Sequence, residues 1–280
     1  MSNAVILMPG LLNCKQIPNI AQCLHDFKSV HDDFKVVIHT WNHEYNDSHT
    51  FVDWFRVNFP KNEIYIQKET YCEFDRMVNK FSSSEFINLV REFVEPSPDN
   101  LEDLLRRHMA IYYSMAQSYM FAKTVANITD DTLLFRIKPN TVFYYNKTDI
   151  VKFFKHRVEL GYRTTSPTKN NTVFVDIDII AGDYPSIKLN ENAFCAYASV
   201  WQTVFGNSTE NFFKHTIQEI YTKHFDQGMT QYAKDIDVSF PFPVGSVVWG
   251  DIFLYHELHI KPWIVGASAQ DRKHKKHRLY

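Results

Sequence analysis

The sequence predicts an α/β protein with a parallel sheet, and three features of its first 70 residues predict it. Short apolar runs rich in β-branched residues stand at 4–8, 34–39 and 63–67, which is typical of buried strands. Between the first two runs, apolar residues recur at helical spacing, at Ile17, Ile20, Leu24 and Phe27. A strand, a helix and a second strand in this order predict a βαβ unit, whose two strands lie parallel.

The later elements are predicted from capping signals and apolar runs. Pro96-Ser97-Pro98 interrupts the chain, and Asp99 or Asn100 then caps a long helix that ends near Asn127. Strands are expected at 131–137 and 172–180, and helices at 190–204 and 210–224. The polar segment 42–50 is expected to be a loop.

Composition is that of an ordinary globular protein with many aromatic residues. The chain has 280 residues, a net charge of -2 and 15% aromatic residues, so no global charge points to a polyanionic partner. Without a long linker, we expect a single domain over 1–270 and a basic tail at 271–280. The four cysteines form no C-x-x-C pair, which favours reduced thiols. With neither a secretory signal nor a long apolar run, a cytoplasmic protein is expected.

The first candidate site lies where the first two strands end. Pro9 and Gly10 follow the first strand, and a glycine there lets the backbone approach a ligand closely, although an ordinary tight turn needs the same residues. His39, Thr40 and Trp41 end the second strand, where a ring can stack on a base or line a sugar pocket. Ligands of open parallel sheets bind beyond the carboxyl ends of the strands, which favours this edge.

Two cations stand at the end of the strand predicted at 131–137. Arg136 and Lys138 are two residues apart, so they point to the same side of a strand, and Asn140 follows them. Two positive charges at a strand end suit a diphosphate leaving group, whose negative charge grows as a sugar bond breaks. A pair of surface charges is the alternative interpretation.

Two carboxylates are set among β-branched residues in the strand predicted at 172–180. Asp176 and Asp178 face the same side, and buried carboxylates are costly unless paired or bound to a metal. They are candidate ligands of a divalent Mg or Mn ion, and either is a candidate base for an acceptor hydroxyl. Solvated carboxylates on an edge strand are the alternative.

The C-terminal tail is strongly basic. It contains Arg272, Lys273, Lys275 and Lys276, whose charges suit phosphate groups of a nucleic acid or another anionic surface. A solvated tail without a partner has the same composition.

In their order along the chain, these motifs resemble a glycosyltransferase-like family of bacterial lipopolysaccharide clusters and large phages. Five segments carry the resemblance: Ile6–Gly10, Val37–Asn42, Tyr113–Ser118, Arg136–Asn140 and Asp178–Gly182. The resemblance implies a GT-A-like α/β/α fold and a nucleotide-sugar donor, which we expect to be UDP-linked. Two departures concern the donor site: Asn140 stands where the family usually has Asp, and Asn13 and Lys15 stand near the position of a usual Arg.

On this resemblance, the function is transfer of a sugar from the nucleotide donor to an acceptor hydroxyl. Pro9, Gly10, His39, Thr40, Trp41 and Asn140 would bind the donor. A hydroxymethylated base of phage DNA is one acceptor, gripped by the basic tail in the host cytoplasm, and a surface glycan is another. A nucleic-acid-binding protein that keeps the fold without catalysis is the third interpretation.

Overall fold

A computed structural model describes residues 4–12, 17–29, 32–43, 46–70, 72, 75–76, 79, 101–137, 139, 172–175, 193–206 and 261–264. The strands in this part of the chain are β1 (Ala4–Pro9), β2 (Phe34–Trp41), β3 (Glu63–Glu69), β4 (Leu133–Ile137), β5 (Thr172–Val175), β6 (Ala193–Tyr197) and β7 (Lys261–Ile264). The helices are α1 (Ile17–Lys28), α2 (Ser48–Asn58), α3 (Leu101–Val125) and α4 (Ala198–Phe205).

These strands form one 7-stranded sheet in the order β3-β2-β1-β4-β6-β5-β7. β1 pairs in parallel with β2 and with β4, and β2 pairs in parallel with β3. β6 lies antiparallel to both β4 and β5, while β5 and β7 are parallel. Of the strands above, β6 is thus the one that runs against the others, and the predicted α/β class with a mainly parallel sheet is confirmed.

Helices cover both faces of the sheet. On one face, α1 and α2 bury Leu24, Phe27 and Phe55 against Ile6 and Phe135 in a shared apolar core. Phe27 anchors this core, because its ring packs edge-on against Phe135 at a centroid distance of 4.9 Å. On the opposite face α3 packs across β1 and β2. We call these the α1 face and the α3 face, and together with the sheet they make three layers.

Two predicted elements were wrong. The segment 42–50 is not entirely a loop, because α2 begins at Ser48; its first turn is polar, and its apolar side starts only at Phe51. The segment 190–204 is not one helix, because Ala193–Tyr197 forms β6 before α4 begins at Ala198. Pairing on both edges, to β4 and β5, overrides the local helical pattern there.

Other predicted elements have different outcomes. The long helix is confirmed as α3, and β4 ends at Ile137 as expected. The strand predicted at 172–180 is confirmed only as far as Val175, and the helix predicted at 210–224 lies outside the described residues. β7 was not predicted. It contains Pro262, and a proline is tolerated there because β7 lies at the edge of the sheet.

Within the described ranges, every helix falls short of the combined length and apolar character that crossing a membrane requires.

Candidate active site

The turn after β1 joins the ends of three strands. Gly10 has a φ of 126°, a conformation that residues with a Cβ rarely adopt. Its N–H donates to the carbonyl oxygen of His39 at 2.9 Å, which ties the turn to the end of β2. A Cβ added to Gly10 would lie 3.5 Å from Cδ of Pro139, so the segment after β4 also reaches this turn.

This meeting point is where the order of the sheet reverses. The chain passes from β1 to β2 on one side, whereas β4 lies on the other side of β1. Connections on opposite sides leave a crevice at the carboxyl ends of such strands, which is the usual ligand site of an open α/β sheet. Gly10 and Pro139 lie at that crevice.

A buried polar network occupies the α3 face beside the crevice. The carboxylate of Glu69 accepts a hydrogen bond from Nε2 of His39 at 2.8 Å. Its other oxygen accepts a hydrogen bond from the hydroxyl of Tyr113 on α3. The side chain of His39 is fully buried, whereas that of Glu69 is 18% exposed. The network therefore connects β2, β3 and α3 through one carboxylate.

The network keeps Glu69 ionised. Burial alone would raise the pKa of Glu69, but the hydrogen bonds from His39 and Tyr113 outweigh it and hold the pKa below its usual value. An ionised carboxylate can only accept, so the proton between the two groups is on Nε2 of His39. In a neutral imidazole, Nδ1 is then an acceptor with a free lone pair.

Aromatic rings enclose His39. Trp41 stacks on Tyr113 with ring centroids 5.5 Å apart and an interplanar angle of 22°. The imidazole of His39 meets Trp41 edge-on at 5.3 Å. Trp41 is only 4% exposed, so in this structure its ring forms a wall of the network.

Arg136 is buried on the same face of the sheet. It is 1% exposed and lies beside Leu7 in the β1–β4 register. β4 is two strands away from β2, which places Arg136 roughly 10 Å across the sheet from the strand of His39. A guanidinium keeps its charge when buried, so it supplies positive potential on the β4 side of the crevice.

Thr40 lies on the other face, because successive side chains of a strand alternate. The hydroxyls of Thr40 and of Ser48, the first residue of α2, are both buried, and neither has a hydrogen-bond partner among the described residues. Asn46 holds this corner, because its side-chain N–H donates to the carbonyl of Trp41 at 2.7 Å and its Oδ1 accepts from the N–H of Ser48. His39 and Trp41 therefore do not share a pocket with Thr40 across the sheet.

Several predicted site residues lie outside the described part of the chain. They are Lys138, Asn140, Asp176, Asp178, Arg272, Lys273, Lys275 and Lys276. Pro9 is described and ends β1, beside His39 in the register. In the ranges that the structure covers, no cluster of three or more His, Cys, Asp or Glu side chains could hold a metal.

Glu69 and Tyr113 were not among the predicted site residues. Glu69 has a detectable signal in hindsight, because an acidic residue ends a strand at the same edge as Gly10 and Trp41. Tyr113 belongs to one of the motifs in the resemblance, but its partner is 44 residues away in the chain. No local pattern connects the two.

Comparison with known proteins identifies no family for this chain. No protein-family model and no curated protein matches the chain. Among solved structures, a galactosyltransferase, LgtC, crystallised with donor and acceptor sugar analogues, aligns with a TM-score of 0.37 and 9% identity, over 89% of this chain and 71% of its own. A likeness this distant assigns no function, and the family resemblance of the motifs stays a prediction.

Proposed function

We propose that this protein is a glycosyltransferase that binds a UDP-linked sugar in the crevice at the carboxyl ends of β1, β2 and β4. The observation that supports this proposal most directly is the packing of the Gly10 turn against the end of β2 and against Pro139. A buried polar network lies beside this turn. Such a crevice, with small residues at its entrance and polar side chains within, is typical of nucleotide-binding α/β sheets.

The Gly10 turn would receive the nucleotide. Without a Cβ, its backbone lets a ligand approach closely, and its conformation is open to few other residues. Pro9, His39 and Trp41 would form the adjoining wall, and Thr40 would support the turn from the α1 face. Asn140, just after Pro139, would complete the donor site.

Arg136, together with Lys138, would stabilise the diphosphate as it leaves. Cleavage of the sugar–phosphate bond concentrates negative charge on the diphosphate, and a preorganised cation lowers the barrier by stabilising that charge. The burial of Arg136 supports this role, because an electrostatic interaction is stronger away from water.

Asp176 and Asp178 remain the proposed base and the proposed ligands of a Mg or Mn ion. They directly follow β5, whose end at Val175 lies in the sheet two strands beyond β4. The described residues offer no metal cluster, so we assign the ion no step in the reaction.

A thermal-shift screen with UDP, UDP-glucose, UDP-galactose and UDP-N-acetylglucosamine tests the proposal. A ligand that binds only the folded state at about 100 times its Kd stabilises that state by about 2.7 kcal/mol. We expect at least one UDP-sugar to raise the melting temperature, with a smaller rise for a Gly10→Val variant. Unchanged melting temperatures with every nucleotide would refute the donor and favour a non-catalytic binding protein.

The acceptor is proposed to be a hydroxymethylated base of phage DNA, with a surface glycan as the alternative. If the acceptor is DNA, its backbone phosphates would be contacted by Arg272, Lys273, Lys275 and Lys276. Each such contact makes the affinity fall more steeply as the salt concentration rises. Binding of a hydroxymethylcytosine duplex should therefore fall steeply with salt concentration. Truncation after residue 270 should flatten this dependence, and absence of DNA binding at low salt would leave the glycan.

A further inference from the structure

We propose that Nδ1 of His39 accepts a hydrogen bond from a sugar hydroxyl of the bound nucleotide sugar, and that Glu69 and Tyr113 position the imidazole for this contact. This inference rests on the proposed function and assigns one binding contact within it. Glu69 lies outside the motifs of the sequence, and its contact with Tyr113 does not follow from them.

The direction of the His39 imidazole is set by its hydrogen bond to Glu69. Nε2 of His39 donates to Glu69, which is on β3. The lone pair of Nδ1 and the N–H of Nε2 point in nearly opposite directions from the ring. Nδ1 therefore lies on the side of the ring away from Glu69. The strand next to β2 on the side away from β3 is β1, and the N–H of its Gly10 turn donates to the backbone carbonyl of His39.

Nδ1 has no hydrogen-bond partner among the described residues. It is a fully buried atom, and none of the described residues gives it a hydrogen bond. A buried polar atom left unsatisfied costs about 1–3 kcal/mol, so a donor from outside these residues is favoured there. The candidate donors are a ligand hydroxyl, an ordered water and a side chain outside the described residues.

The Glu69 carboxylate that orients the imidazole is itself held in place. The carboxylate of Glu69 is held by Tyr113 on its second oxygen, and Trp41 stacks on the Tyr113 ring. A fixed carboxylate fixes the tautomer, because it can only accept the Nε2 proton. An acceptor held in one orientation selects a hydroxyl donor and rejects groups that can only accept. This favours the sugar over the phosphates as the partner.

Two substitutions separate a ligand contact from a structural role. In His39→Gln, the side-chain amide nitrogen stands near the place of Nε2, so the bond to Glu69 is kept while the Nδ1 acceptor is lost. In His39→Asn, the amide stands near the place of Nδ1, so an acceptor is available and the bond to Glu69 is lost. We expect His39→Gln to keep its melting temperature and to bind UDP-glucose about tenfold more weakly.

His39→Asn is expected to recover part of that affinity. UDP alone distinguishes the two kinds of sugar hydroxyl: equal weakening of UDP and UDP-glucose assigns the contact to the ribose, and weakening of UDP-glucose alone assigns it to the transferred sugar. Unchanged affinity of His39→Gln for both probes would show that no ligand hydroxyl binds Nδ1 and would overturn the inference. Failure of the wild-type protein to bind UDP or any of the three UDP-sugars of the thermal-shift screen refutes the proposed function instead.

A two-bond proton–nitrogen NMR spectrum of the histidine side chains tests the geometry without any ligand. The resonance that disappears in His39→Gln should show a proton on Nε2 and none on Nδ1. In Glu69→Ala, the same imidazole should exchange between tautomers, which a merely space-filling Glu69 would not cause. A proton on Nδ1 in the free wild-type protein would overturn the inference.

Discussion

Replacing Tyr113 by Phe removes one hydrogen bond from the Glu69 carboxylate and leaves the aromatic packing in place. A hydrogen bond to a charged group contributes about 1.5–3 kcal/mol to stability. The side chain of Glu69 is 18% exposed, so water replaces part of the lost bond, and we expect a loss of about 1–2 kcal/mol. For a domain of this size, that corresponds to a fall in melting temperature of about 2–8 °C.

The loss should be measured by urea unfolding at about pH 7, with Tyr65→Phe as the matched control. The hydroxyl of Tyr65 donates to Glu63 at 2.8 Å on the exposed surface. The same chemical change there should alter the free energy of unfolding by less than about 0.5 kcal/mol.

The pH dependence gives the sign of the effect. The pKa of Glu69 is lowered in the folded protein, so its contribution to stability is present above its unfolded pKa and is lost as the pH falls through the folded value. The difference between Tyr113→Phe and wild type should therefore shrink as the pH falls below the usual pKa of a glutamate and Glu69 becomes protonated, because a neutral acid forms a weaker hydrogen bond. Equal losses in Tyr113→Phe and Tyr65→Phe, or a difference independent of pH, would refute the buried charged network.

Three further predictions concern the turn, the core and the surface. Gly10→Ala should lower the free energy of unfolding by about 1–3 kcal/mol, because its φ is 126° while its Cβ would meet Pro139 at an ordinary 3.5 Å; equal stability in urea unfolding would contradict the strain. Phe27→Ala should lower the free energy of unfolding by about 3–5 kcal/mol, because its side chain is buried in the core. The control Val57→Ala, at a residue 79% exposed, should lower it by less than about 0.5 kcal/mol. Similar losses in the two variants would place Phe27 outside the core. Lys35→Gln breaks the ion pair to Glu63 at 2.7 Å. Because the Glu63 side chain is 54% exposed, the free energy of unfolding should fall by less than about 1 kcal/mol, and the fall should diminish in high salt. A larger fall would mean that the pair is shielded from solvent.

The first half of the sheet was predictable because its signals are local. β1 is a continuous apolar run, β2 and β3 contain β-branched residues typical of strands, and α1 carries its apolar residues at helical spacing. β6 was not predictable in this way, because Ala193–Tyr197 becomes a strand through pairing to two partners that are distant in the chain. α2 was missed because its first turn contains only polar side chains.

The site residues fall into the same two groups, those that local signals predict and those that depend on packing between distant segments. Gly10 and His39 could be selected because each ends a predicted strand, and parallel strands present their carboxyl ends at one edge. Glu69 and Tyr113 could not, because their hydrogen bond depends on how α3 lies across the sheet. The opposite placement of Thr40 follows from strand alternation, so it was available from the sequence once the end of β2 at Trp41 was fixed.

Amide hydrogen exchange with and without UDP-glucose tests most directly whether the crevice binds a nucleotide sugar. Bound ligand slows exchange where it covers or stabilises the backbone. We predict protection in peptides that contain residues 8–12, 39–43 and 136–140, with unchanged exchange in α2 around Val57. Protection confined to other segments, with these three unchanged under saturating ligand, would contradict a donor site at the ends of β1, β2 and β4.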